Sequence, residues 1–195
     1  MNRIDGKFEK FGLYILSLWF LFVMLILITA KWPLDSNNNL LEWPEIIKGN
    51  WVALISLLCI IWGGFHYARF SYKLKGANEL PTKVLSSQNI NSEHLIFLAT
   101  YIIPLVTMDF SNPRYVFTFL LLLTLMGAIY LKTNMFYANP TLAVIGYQIY
   151  KVTINPYGQK MEDIILISRE KISVGESVKY KKLDDQIFFA KKAGS

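Results

Sequence analysis

The chain of 195 residues contains one cysteine, Cys59, and two histidines, His66 and His94. One cysteine closes no internal disulfide and supplies no Cys-x-x-Cys metal pair. Placed inside an apolar run, it is expected to be a small buried hydrophobe. Charge is scarce: 17% of residues are Asp, Glu, Lys or Arg, whereas soluble domains carry about 25%. The sequence has no Gly-x-Ser-x-Gly, no Walker loop and no Gly-x-Gly-x-x-Gly, so nothing points to a nucleophile elbow or a phosphate cradle. Ser17 and Ser56 lie in apolar runs without a base nearby, where serines more often bridge helices. The expectation is a non-enzymatic protein with no cofactor and no metal. No charge occupies the middle of any apolar run. That argues against a transporter or proton channel, whose sites lie near the bilayer midplane.

What is present is hydrophobic length. Phe11–Ala30 holds twenty residues without one charge, enough to cross a core about 30 Å thick at about 1.5 Å per residue. The run is longer than a signal-peptide core and no small-x-small site precedes Lys31, so it reads as a retained helix. Gly49–Ala68 is the second run, with Trp51, Trp62 and Tyr67 placed as interfacial aromatics. The pair Gly63-Gly64 permits close backbone approach and is a candidate helix-packing point. Leu95–Met108 is shorter and contains Pro104; with its flanks, 92–110 crosses with a kink, or the segment is re-entrant. Tyr115–Leu131 is the fourth run. Ser-Asn-Pro between the last two is turn chemistry. The prediction is an α-helical membrane domain over 1–132, with four transmembrane helices at about 11–30, 49–68, 92–110 and 115–131.

Lysine and arginine orient the set. Arg3, Lys7 and Lys10 precede the first run; Arg69, Lys73, Lys75 and Lys83 follow the second; Lys132 follows the fourth. The first loop carries Lys31 and Lys48 against Asp35, Glu42 and Glu45, and the third carries Arg114 alone. Both termini are therefore expected in the cytoplasm of a multi-pass membrane protein. The net charge of +6 follows from this topology, and direct nucleic-acid binding is not expected.

After Lys132 the pattern changes. Leu142–Ile154, Ile164–Ser168, Val178–Leu183 and Gln186–Ala190 are strand candidates, with turns at Asn155-Pro156 and Asp184-Asp185. Residues 133–192 are predicted to form a small cytoplasmic β domain of SH3-like or OB-like kind, and 193–195 read as a cloning remnant. A core this thin suggests packing against helix ends or against copies of itself. The joining segment Asn134–Gly146 either fixes the domain near the bilayer or couples it to the helices.

Polar candidates are few. His66, Glu93 and His94 are placed at the same membrane face, where they either anchor helix ends or form a metal or proton site. Asp109, at the outer end of the third run, either caps a helix beside Arg114 or marks an ion path. Lys179, Lys181, Lys182, Lys191 and Lys192 give a basic surface for anionic lipid or a protein partner.

The stretches GLYILSLW at 12–19, SEHLIFLATYIIPL at 92–105 and FYANPTLAVIGYQIYKV at 136–152 carry a resemblance. In them the chain resembles the KwaA family, membrane subunits of the bacterial Kiwa anti-phage defence system. The resemblance implies a homo-oligomeric inner-membrane sensor of phage infection and scaffold for a cytoplasmic, DNA-associated effector of KwaB kind; it carries over no catalytic residues. Architecture alone leaves two alternatives, a membrane-complex assembly factor of NfeD-like layout and a small transporter or channel.

Overall fold

The computed structural model describes residues 7–33, 40, 42–74, 81–108 and 112–193. Among the described residues, seven α-helices precede or interrupt five strands. They are α1 (Lys7–Ser17), α2 (Trp19–Thr29), α3 (Trp43–Gly49), α4 (Trp51–Leu74), α5 (Ser92–Thr107), α6 (Pro113–Thr133) and α7 (Pro140–Val144). The strands are β1 (Thr82–Asn89), β2 (Gln148–Ile154), β3 (Met161–Ser168), β4 (Ser177–Lys182) and β5 (Ile187–Lys192).

Of the four spans that the apolar runs predict, two are long and apolar enough as single helices, Trp51–Tyr72 and Arg114–Thr133. The first run is a broken helix: Lys10–Ser17 and Trp19–Thr29 meet at a 48° bend and qualify only as one span together. The third run gives α5, an apolar helix of 16 residues, about 24 Å long at 1.5 Å per residue and so short of the bilayer core.

Helix ends follow local chemistry. Asn112 accepts a hydrogen bond from the Arg114 amide with Pro113 at the first helical position, and α6 stops at Asn134, whose φ is 55°. These are an N-cap, an N1 proline and a left-handed C-cap. Residues Leu142–Ile154 do not form one strand, as their β-branched composition suggests. Asn139 caps Pro140–Val144 as a helical turn, accepting from the Thr141 and Leu142 amides. Gly146 then takes φ 94° and Tyr147 N–H donates to the Leu142 carbonyl, a Schellman closure that turns the chain into β2.

The strands close a barrel in the order β1-β2-β3-β5-β4, all neighbours antiparallel except β3 with β5. Five strands fit the OB kind of small barrel. The barrel is not confined to 133–192, because β1 comes from the connection between α4 and α5. Val84 on β1 points into the same core as Val152, Leu166, Val178 and Phe188. A second core joins the other face of three strands to the helices: Ile149, Ile167, Ile187 and Phe189 pack with Leu13, Tyr101, Phe136 and Leu142. Strands β3 and β5 are therefore apolar on both faces. That explains why they read as continuous hydrophobic runs while β4 alternates lysine with core residues.

Candidate functional site: a buried polar junction at the helix bend

Neither proline nor glycine sits at the bend between α1 and α2. Leu18 donates its amide to the Ile15 carbonyl three residues back, at 3.2 Å, and Ser17 Oγ donates to the Tyr14 carbonyl at 2.6 Å. The helical ladder is interrupted, and carbonyls of the last turn of α1 find other donors. Asn139 Nδ2 donates to the Leu13 carbonyl at 3.2 Å. Thr141 Oγ1 donates to the Leu16 carbonyl at 2.7 Å. The Tyr101 hydroxyl donates to the Ser17 carbonyl at 3.2 Å. Side chains inserted into the backbone ladder are a recognised cause of a sharp kink.

Ser17, Tyr101, Asn139 and Thr141 are all buried. A backbone group left unpaired in such surroundings costs about 1–3 kcal/mol, so each donor stabilises the bent form against losing its partner. Around them Tyr14 donates its hydroxyl to the Leu123 carbonyl of α6 at 2.5 Å, and its ring lies 5.2 Å from that of Tyr130. The junction thus joins α1, α5, α6 and α7, and α7 leads through Gly146 directly into β2.

A second tie lies nearer the barrel. Lys10 Nζ donates to Asn134 Oδ1 at 2.5 Å and to Asp184 Oδ2 at 3.1 Å, linking α1 to the end of α6 and to the β4–β5 hairpin. Glu93 at the start of α5 faces Tyr137; burial and the neighbouring carboxylate push the Tyr137 hydroxyl up to about 12. A cleft of about 460 Å³ opens here, lined by Glu93, Asn134, Tyr137, Asp163 and Asp184 among others. On the other side, Arg169 donates to the Tyr67 hydroxyl at 3.2 Å and lies over the Tyr147 ring at 4.6 Å.

The two histidines have different surroundings. His66 sits among Phe8, Trp62 and Phe65 and against Gly12, where a β-carbon would come within 2.1 Å of its ring. His94 is buried beside the Asn139 backbone, with neither ring nitrogen in a hydrogen bond of ordinary geometry. Among the described residues no group of three or more His, Cys, Asp or Glu could hold a metal ion, so Glu93, His94 and His66 form no joint site. Asp109 lies outside the described residues. Gly63 and Gly64 lie under the indole of Trp19, just past the bend. A β-carbon on Gly63 would fall 2.3 Å from Trp19 Nε1, and one on Gly64 3.4 Å from Trp19 Cζ2. Lys179, Lys181 and Lys191 project from the barrel exterior, while Lys182 pairs with Asp185 and Lys192 with Glu176.

Sequence reasoning singled out Ser17 and the Asn134–Gly146 segment but not Asn139, Thr141, Tyr101 or Lys10 individually. The available signal is Asn-Pro-Thr, a cap followed by a second short polar side chain.

A family model described as "Anti-phage protein KwaA" matches residues 9–189. The Kiwa protein KwaA of Escherichia coli O55:H7 is 34% identical over 190 residues, covering 96% of this chain and 97% of that one. No solved structure matches. The matched span takes in the bend, its donors, four strands and the start of β5, and the chain belongs to the KwaA family of anti-phage proteins.

Proposed function

We propose that this chain is a non-enzymatic sensor and scaffold of anti-phage defence in the bacterial inner membrane. Its helices sit in the bilayer with both termini in the cytoplasm, α5 completing a fourth crossing with its polar flanks, and several copies assemble. The barrel holds a cytoplasmic effector of KwaB kind.

One observation supports this above all: Asn139 and Thr141, seven to nine residues from the barrel strand Gln148–Ile154, hold the carbonyls of the bent helix. The Leu13 carbonyl lies with Ser17 inside α1 and gains Asn139 as a further donor, while the Leu16 and Ser17 carbonyls, at the break, have two sets of possible donors. In the bent form they use side chains of α7 and α5; in a straight helix they would use amides four residues on. Two states with similar hydrogen-bond counts differ by a few kcal/mol, a gap that a membrane disturbance can tip if it favours one of them. Straightening lengthens the span, which makes the equilibrium sensitive to bilayer thickness. It also frees α7 and, through it, the barrel. No array of arginines occupies the spans, which makes membrane potential the weakest trigger.

The NfeD-like reading shares spans and an OB-like barrel. Here, however, a strand from between two helices closes the barrel, which ties it into the helical part rather than appending it.

The test is protection of cells against phage. Asn139→Leu removes the donor to Leu13 and the helix cap; Thr141→Val removes the donor to Leu16 alone. Both are expected to abolish protection at unchanged membrane abundance, with Thr141→Ser restoring it. Full protection by Thr141→Val and Asn139→Leu would sink the relay.

A further inference from the structure

Seven lysines lie on the strands. Lys151, Lys182 and Lys192 each have a carboxylate partner. Lys83, Lys179 and Lys191 have none among the described residues. These three, with Lys181, share one outer face of β1, β4 and β5. Lys83 stands opposite Ser177, and Lys179 stands directly opposite Lys191; Val178, Tyr180 and Ala190 between them point into the barrel. Like charges directly opposite across a ladder are destabilising, so the pair is held at a cost that an anionic partner would offset.

The position of the face narrows the partner. The outer sides of the start of β2, the end of β3 and the start of β5 are covered by helices, so the β1–β4 side of the closed barrel is turned away from them and from any bilayer they occupy. No exposed aromatic side chain lies on it among the described residues, so it offers no platform for stacking bases. Leu85 and Val174, both exposed, lie beside the lysines where Gly175 N–H donates to the Val84 carbonyl. Apolar groups next to ammonium groups suit a protein surface better than phosphate.

We infer that this face docks an acidic surface of a soluble protein. The inference rests on the reading of the barrel as the part that holds an effector, and names the face and the charge of what it meets. Charges of this kind act mainly on the association rate and are screened by salt.

The full chain in nanodiscs of uncharged lipid is titrated with the purified soluble protein encoded beside it, at low and high salt. K179E/K191E is expected to weaken binding by about tenfold or more at low salt, mostly in the on-rate, and less at high salt. K160E, an exposed barrel charge outside the face, is expected to bind within about twofold of the parent. Equal affinity of K179E/K191E and the parent overturns the docking face while leaving the holding role intact. No binding by the parent overturns both. If the double variant loses only a short DNA duplex or anionic vesicles, and keeps the soluble protein, the face belongs to nucleic acid or lipid and the inference fails.

Discussion

The helices and the barrel solve opposite problems with the same residue types. In the barrel, apolar side chains point inward or against the helices, and the free outer face carries lysines. In α4 and α6 the arrangement is reversed: Leu58, Ile61, Phe65, Phe117, Leu125 and Ile129 are all exposed, while Ser56 and His66 are buried. A water-facing helix would place charge on that outer side. The contrast is one of opposite burial patterns along one chain, and the contact face between the parts is where both patterns must agree.

The largest expected effect tests that contact face. Phe189 and Lys191 sit on the same outer side of β5, two residues apart, the first buried against the helices and the second exposed. Phe189→Asp places an unpaired charge in the shared core and is expected to cost about 4 kcal/mol or more. Lys191→Asp should stay within about 0.5 kcal/mol. Thermal unfolding in mild detergent compares them, and similar losses would mean that the barrel does not dock through β5.

The next contrast lies within α4. Gly63→Leu drives side-chain atoms into Trp19 at the bend and is expected to cost about 2–3 kcal/mol. Gly64→Ala meets only ordinary contact and exchanges a flexible residue for a helix former, a gain of about 0.5 kcal/mol. If Gly63→Leu is silent in the same unfolding measurement, Trp19 is free to leave its seat and the bend is not fixed by α4. Mass measurement of Gly64→Leu separately tests whether this position also contributes to assembly.

Two threonines sharpen the comparison between the junction and the exposed apolar surface of α6. Thr141 donates to another helix in a buried site, whereas Thr124 donates to the Leu120 carbonyl of its own helix on an exposed side. Thr141→Val should cost about 1–2 kcal/mol and Thr124→Val about 0.5 or less. Hydrogen exchange in the Leu13–Leu21 segment reads the difference, and equal protection in both variants would remove Thr141 from the bend.

How far the fold was legible in sequence follows the same division. Apolar runs announce their helices because length and lack of charge are local properties. The bend at Leu18 has no local mark; its donors at Tyr101, Asn139 and Thr141 lie 84 to 126 residues away in sequence. Strand β1 was illegible for a related reason. In Thr-Lys-Val-Leu-Ser-Ser-Gln-Asn only Val84 joins the barrel core, too little alternation to announce a strand. Conversely, α7 is masked by β-branched neighbours, and its cap at Asn139 outweighs them. The lysines of β4 and β5 were legible as a basic surface, but that Lys182 and Lys192 are held in ion pairs depends on the positions of Asp185 and Glu176.

The smallest effect concerns the second of these pairs. Glu176 clips the start of β4 to the end of β5: Oε2 accepts from the Ser173 amide and Oε1 from Lys192 Nζ, each at 2.8 Å. The hydrogen bond from Lys192 and that from Ser173 hold the Glu176 carboxyl below its ordinary range, and the Glu176 carboxylate holds Lys192 above its own. A lowered carboxyl contributes stability above its unfolded value and loses it as pH falls through the folded value. A raised lysine contributes below its unfolded value and loses it as pH rises through the folded one. The clip is therefore intact across neutral pH and opens at both extremes. Both groups are partly exposed, so the contribution is small and screened by salt. Hydrogen exchange at Ser177–Lys179 should rise at acid pH in the parent, beyond the intrinsic pH dependence, and be flat in Glu176→Gln. Lys179 and Lys191 have no such clip, so neutralising Lys191 should leave this acid limb unchanged; if it disappears, the two lysine sets are electrostatically one.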